Sequence, residues 1–202
     1  MLRIVVFLAA LLFATSANAR SAYFTVEIEG LSDNNNKSEY IKIYFVQLED
    51  GKLLISSPVG SLSARADRSD EMKGLVFPSN GGKKCIKFSP PKKARLEAGE
   101  KSRGFCASVK ARGVGDYSVS VTERWDLDVK GGFISLEESA QFSLKIVNNT
   151  CKFSFGNMTS RDTLKPSGGT AVTATHRVKS LRKASCKAES SVALKLERLF
   201  NK

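Results

Sequence analysis

Residues 116–125 repeat with a period of two. Tyr117, Val119, Val121 and Glu123 fall on one side of the segment; Ser118, Ser120, Thr122 and Arg124 fall on the other. A helix would scatter these side chains around its axis, whereas an extended strand sorts them onto two faces. The same pattern runs from Tyr23 to Glu29 and from Tyr40 to Val46, a stretch rich in β-forming residues. Punctuation separates the runs: Gly30 and Ser32-Asp33-Asn34-Asn35-Asn36, Asp50-Gly51, Pro78-Ser79-Asn80-Gly81-Gly82, Gly131-Gly132 and Asn148-Asn149. Further strands are expected over residues 52–55, 74–77, 84–88, 105–110, 133–136, 141–147, 150–155 and 170–178. Residues 57–71 and 157–169 read as connections. Only the end departs from this period. Val192, Leu196, Leu199 and Phe200 stand near helical spacing, which predicts a short helix over residues 190–200 packed on a sheet. The fold class that follows is mostly β: an antiparallel β-sandwich or barrel-like domain closed by two disulfides, with a short C-terminal helix. It spans residues 20–202, with a sub-boundary conceivable near residues 78–83.

The first residues have a different character. Arg3 precedes an apolar run from Ile4 to Ala14, and Ser16-Ala17-Asn18-Ala19 supplies the small-x-small pattern of a processing site. The run is shorter than the roughly 20 residues needed to span a bilayer. Residues 1–19 therefore read as a cleavable signal peptide, cut between Ala19 and Arg20. The mature chain is expected to be periplasmic or secreted. No later apolar stretch is long enough to span a membrane.

That address sets the chemistry of the four cysteines, Cys85, Cys106, Cys151 and Cys186. An even count in an exported chain favours bridges. Three pairings exist. Sequential pairing, Cys85–Cys106 and Cys151–Cys186, closes the shortest loops and is the expected one. A zinc site has little to recommend it, because no Cys-x-x-Cys occurs and the single histidine, His176, stands apart.

The formal net charge is +12, and its distribution is uneven. Residues 20–82 and 113–160 are each net −2. Residues 83–112 carry +8 and residues 161–202 carry +7. An anion-binding role is expected of Lys84, Lys87, Lys92, Lys93, Arg95 and Arg103 in the first basic segment. Arg177, Lys179, Arg182 and Lys183 are its counterparts in the second, over residues 177–187. Such fields draw anionic partners: an anionic polymer, a lipid head group or an acidic protein. The competing reading is a solvated face that serves solubility.

Enzymatic signatures are missing. There is no Gly-x-Ser-x-Gly, no phosphate-binding loop and no histidine beside a nucleophile. Asp126 and Asp128 share one strand face near Glu137 and Glu138, a thin basis for a carboxylate-based polysaccharide hydrolase. Trp125 is expected in the core, with a sugar-binding face shared with Tyr117 as the alternative. No cofactor, metal or catalytic residue is assigned. The expected function is non-enzymatic binding of an anionic partner or surface through the two basic segments. A structural or interaction component of the cell envelope, or a host-facing factor, is the alternative.

Overall fold

A computed structural model describes residues 22–33, 38–48, 50–57, 73–89 and 99–188. The leader at residues 1–19 and the helix expected over residues 190–200 lie outside them, as do Lys92, Lys93 and Arg95.

Ten strands follow in sequence: β1 (Ala22–Ser32), β2 (Ser38–Gln47), β3 (Leu53–Ser57), β4 (Lys73–Phe77), β5 (Gly81–Phe88), β6 (Glu100–Gly113), β7 (Asp116–Val129), β8 (Gly132–Val147), β9 (Thr150–Pro166) and β10 (Val172–Ala188). Each pairs antiparallel with its neighbour in sequence, except that β4 and β5 do not pair. β10 returns to pair with β1. The result is a nearly closed, antiparallel, barrel-like sheet in up-and-down order, with one open seam between β4 and β5.

The hairpin turns follow from local sequence. Asn148 and Asn149 both hold positive φ, 48° and 57°, as a two-residue turn matching strand twist requires. At Gly30 a different need applies. A Cβ there would stand 2.2 Å from Cγ1 of Val178, where β1 and β10 shift register. Only glycine lets the two strands cross so closely.

Three strands run longer than their sequence suggests. Glu137-Glu138 interrupts the apolar alternation, yet β8 is continuous through it: Glu137 points out between Arg124 and Arg161, and Glu138 points in between Glu123 and Ser160. Residues 157–166, read as a connection, continue β9; the ladder absorbs the extra residue at Gly156 as a bulge. β10 does not stop at Val178 but runs to Ala188, because β1 offers Glu27 and Glu29 opposite its cations.

The interior is filled. Phe24, Val26, Ile28, Ile41, Ile43, Phe45, Leu53, Ile55, Phe77, Phe105, Val121, Phe142, Leu144 and Met158 belong to one buried cluster drawn from β1–β4 and β6–β9. Tyr117 joins it, its ring 5.4 Å from that of Phe45, and Trp125 is buried with the same inward parity. Neither ring is on a sugar-binding surface, which corrects that alternative. Outward positions of β6–β9 carry mostly Ser, Thr, Lys, Arg and acids. A membrane-spanning barrel shows the reverse arrangement. Among the described residues no helix is long and apolar enough to cross a membrane.

Both disulfides have the sequential pairing, Cys85–Cys106 and Cys151–Cys186. Their positions differ in kind. Cys85 and Cys106 face each other within the β5–β6 ladder. Cys151 and Cys186 join strands that have parted: β10 pairs with β9 only from Val172 to Arg177, then leaves it for β1. The bridge ties β9 to β10 where the ladder between them has ended.

Candidate functional site

Register sorts the side chains of β6–β10 into rows that cross the sheet. On the outer face, one row is Ser102, Asp126, Ser135, Thr163 and Thr173. The next is Gly104, Arg124, Glu137, Arg161 and Thr175, and the next Cys106, Thr122, Ser139, Thr159 and Arg177. The first row is tied together by hydrogen bonds. Ser102 Oγ donates to Asp126 Oδ2 at 2.6 Å, Ser135 Oγ to Asp126 Oδ1 at 3.0 Å, and the Thr163 and Thr173 hydroxyls lie 3.1 Å apart. Arg124 Nε donates to Asp126 Oδ1 at 2.9 Å.

Two depressions meet on this face at Phe133. One, of about 650 Å³, is lined by Lys87, Ser89, Lys101, Ser102, Asp126 and Phe133. The other, of about 280 Å³, is lined by Arg124, Phe133, Ser135, Glu137, Arg161, Thr163, Lys165 and Ala171. Together they form a groove across β5–β9 with five cations, two carboxylates and a phenyl ring at its centre. Four strand spacings separate β5 from β9, about 19 Å at the usual interval. Lys87 is open to solvent, its side chain 74% exposed, and lies 3.9 Å from Asp126. Lys101 pairs with Asp128 at 2.6 Å.

Asp126 is the fixed point of the groove. Burial pushes its carboxyl up, but the hydrogen bonds from Ser102, Arg124 and Ser135 outweigh that and hold it below the ordinary aspartate value. A lowered carboxyl pKa is the opposite of the raised one that a glycosidase general acid uses. The depressed pKa of Asp126 contributes stability that is present above the unfolded value and lost as pH falls through the folded one. Asp126→Asn is expected to lower stability by about 1–3 kcal/mol at neutral pH. That difference should vanish on acidification well below about pH 4. Urea unfolding of both proteins at pH 7 and pH 3 checks this; equal stability at pH 7 would refute it.

The basic residues expected to bind anions disperse. Three strands, β7, β8 and β9, separate β6 from β10, so among the described residues the cations of the two basic segments do not form one patch. Arg103 requires a correction. It is fully buried, faces inward between Phe105 and the bulge near Glu100, and is paired to the Glu100 carboxylate through Nε and, at 2.9 Å, through Nη2. The parity of β6 puts it on the same side as Phe105, Ala107 and Val109, so it cannot meet a surface anion. On β10, Lys183 bonds Glu27, and Arg182 lies 3.9 Å from Glu29. The bond from Lys183 holds Glu27 below its ordinary pKa, with the charges of Lys183 and Lys42 adding to it against the cost of burial. These two cations are matched by β1. Lys84 lies over the Phe77 ring, 5.8 Å from its centroid. Arg177 and Lys179 are exposed beside the groove rather than in it.

The groove keeps Lys87 from the expected set. It adds Lys101, which lies in the expected basic segment 83–112, and gains Arg124, Arg161 and Lys165, which sequence reasoning did not select. The signal was present: Arg161, Thr163 and Lys165 alternate, as do Arg124 and Asp126, but their meeting depends on the β7–β8–β9 register. The reading also missed a layer of polar residues inside the barrel, where Glu123, Glu138, Ser160 and His176 form an inward row next to Arg103 and Trp125. Among the described residues no group of three or more His, Cys, Asp or Glu side chains is placed to hold a metal ion. Comparison with models of known families, with curated proteins and with solved structures finds no match.

Proposed function

We propose that this protein is an exported, non-enzymatic β module that holds an anionic polymer across the outer face of β5–β9. The observation that carries the reading is the convergence of Lys87, Lys101, Arg124, Arg161 and Lys165, from four strands, on one groove around Phe133. Its five cations exceed the three carboxylates beside them, Asp126, Glu137 and Asp128, the last paired with Lys101. The groove's length across the strands suits several consecutive charged units rather than one small anion. The Phe133 ring offers an apolar face for the uncharged side of each unit, while the Ser and Thr hydroxyls offer hydrogen bonds. The signal-like residues 1–19 and the two disulfides support the exported address.

Heparin serves as the probe polymer. The mature protein should stay on immobilised heparin and elute later than a neutral protein of its size, with retention falling steeply as salt rises. Replacing Lys87, Arg161 and Lys165 together by Glu should weaken binding by at least roughly tenfold, equivalent to about 1.4 kcal/mol. The control, Arg182→Glu with Lys183→Glu, alters matched cations outside the groove and should matter much less. If the control weakens retention more than the groove variant does, the groove is not the site.

A further inference from the structure

We infer that the free edge of β5 is a docking site for an extended, acid-rich polypeptide strand, which would pair with it through the backbone. This goes beyond the groove, because it rests on main-chain groups at the open seam, with the outer-face lysines Lys83 and Lys87 selecting the charge of the occupant.

The disulfide fixes which backbone groups are available. In an antiparallel pair, residues that exchange hydrogen bonds lie about 5.5 Å apart at Cα, and those that do not lie about 4.5 Å apart. Cys85 and Cys106 are opposite each other with Cα atoms 4.1 Å apart, so theirs is a non-bonded pair. The N–H and C=O of Cys85 therefore point away from β6. The β5–β6 register has no shift, so Lys83 and Lys87 share this orientation. β5 ends the strand order, and among the described residues its only ladder partner is β6. Three successive donor–acceptor sets thus face the seam.

Solvent reaches this edge from both sides. Lys83, Cys85 and Lys87 are exposed on the outer face. Lys84 has the inward parity of Ile86 and still is exposed. β5 leaves β4 at the Pro78-Ser79-Asn80 turn; a Cβ on Gly82 would be 3.9 Å from the Phe77 ring, and on the inner side Lys84 reaches back over that ring, 5.8 Å from its centroid.

Charge selects the occupant. β5 carries Lys83, Lys84 and Lys87 and no acid. Edge lysines oppose the addition of another copy of the same strand, since lysines would face lysines. An incoming strand with Glu or Asp at alternate positions would instead set carboxylates against the outer lysines while its backbone takes the three free sets.

The test uses the full mature chain and a short synthetic strand peptide with Glu at alternate positions and Thr and Val between them. Amide hydrogen exchange of Lys83, Cys85 and Lys87 should be fast in the free protein and slow when the peptide is added. The amides of Lys84 and Ile86, which face β6, should be protected in both states. N-methylation of the peptide along its bonding edge should weaken binding about tenfold, the worth of one or two hydrogen bonds. Equal binding of the methylated peptide, or unchanged exchange at the three amides, overturns the inference, and so does a dimer joined through β5. Heparin retention without peptide binding overturns the edge alone. Peptide binding without heparin retention overturns the groove alone.

Discussion

Arg103→Met, made alone, should lower the stability of the protein by about 3–5 kcal/mol, because it leaves the Glu100 carboxylate buried without its counter-charge. The Arg103 side chain is 0% exposed and that of Glu100 is 2% exposed, so water cannot substitute for the lost partner. The pair itself is no bonus over an apolar core. Taking two charges out of water costs nearly what their attraction returns, so replacing both together should recover most of the loss. Arg103→Met with Glu100→Leu tests that in one step. Urea denaturation of wild type, both single variants and the double variant gives the coupling energy directly. A single variant within about 1 kcal/mol of wild type would mean that the pair is solvated in solution, contrary to its burial.

The second large effect concerns Cys151 and Cys186. Replacing both by Ala should cost about 4 kcal/mol. A chain-entropy estimate for a bridge of 35 residues' separation accounts for most of it. Entropy alone would make the Cys85–Cys106 bridge, at a separation of 21, nearly as valuable. The fold says otherwise. β5 and β6 remain tied by a ladder from Gly81 to Phe88 when their bridge is absent, whereas β9 and β10 have no ladder beyond Arg177. Loss of Cys151–Cys186 also frees the partly buried Phe153 and Phe155, which pack against the core at that side. The Cys151/Cys186 variant should therefore bind a hydrophobic dye in its native range and unfold at distinctly lower denaturant. The Cys85/Cys106 variant should do neither to the same extent. Equal losses in the two variants would refute the distinction.

Period-two alternation made the strands legible, because each is half-buried and sorts its own side chains. It failed where a residue's face is set by a neighbour rather than by its chemistry. Arg103 is the clearest case: a cation in a basic stretch reads as surface, yet its parity with Phe105 and Ala107 sends it inside to Glu100. Glu138 and His176 are inward for the same reason. The cysteine pairing was readable from loop length, but not the difference between the two bridges, since that depends on β10 leaving β9 for β1. The groove was half legible. Lys87 was found within a charge run; Arg124 stands in a segment of net negative charge, Arg161 and Lys165 lie at the start of the second basic segment and outside its 177–187 run, and only the register of three strands brings them to Phe133.

The pairing of β1 with β10 sets an order in time. Glu27 and Lys183 are 156 positions apart, and every contact between their strands must wait for almost the whole chain. Until then β1 has a bare edge, and the β1–β4 sheet presents Phe24, Ile28, Ile43 and Phe45 to whatever surrounds it. Distant pairing of this kind places folding in the slow regime of all-β topologies. A chain exported unfolded would gain from that delay, since no closed barrel can form before residues 178–188 have followed the rest through. Premature termination anywhere before β10 would remove the closing strand of the first sheet and one half of the Cys151–Cys186 bridge together. Quality control would then meet an open sheet edge rather than a slightly shortened protein.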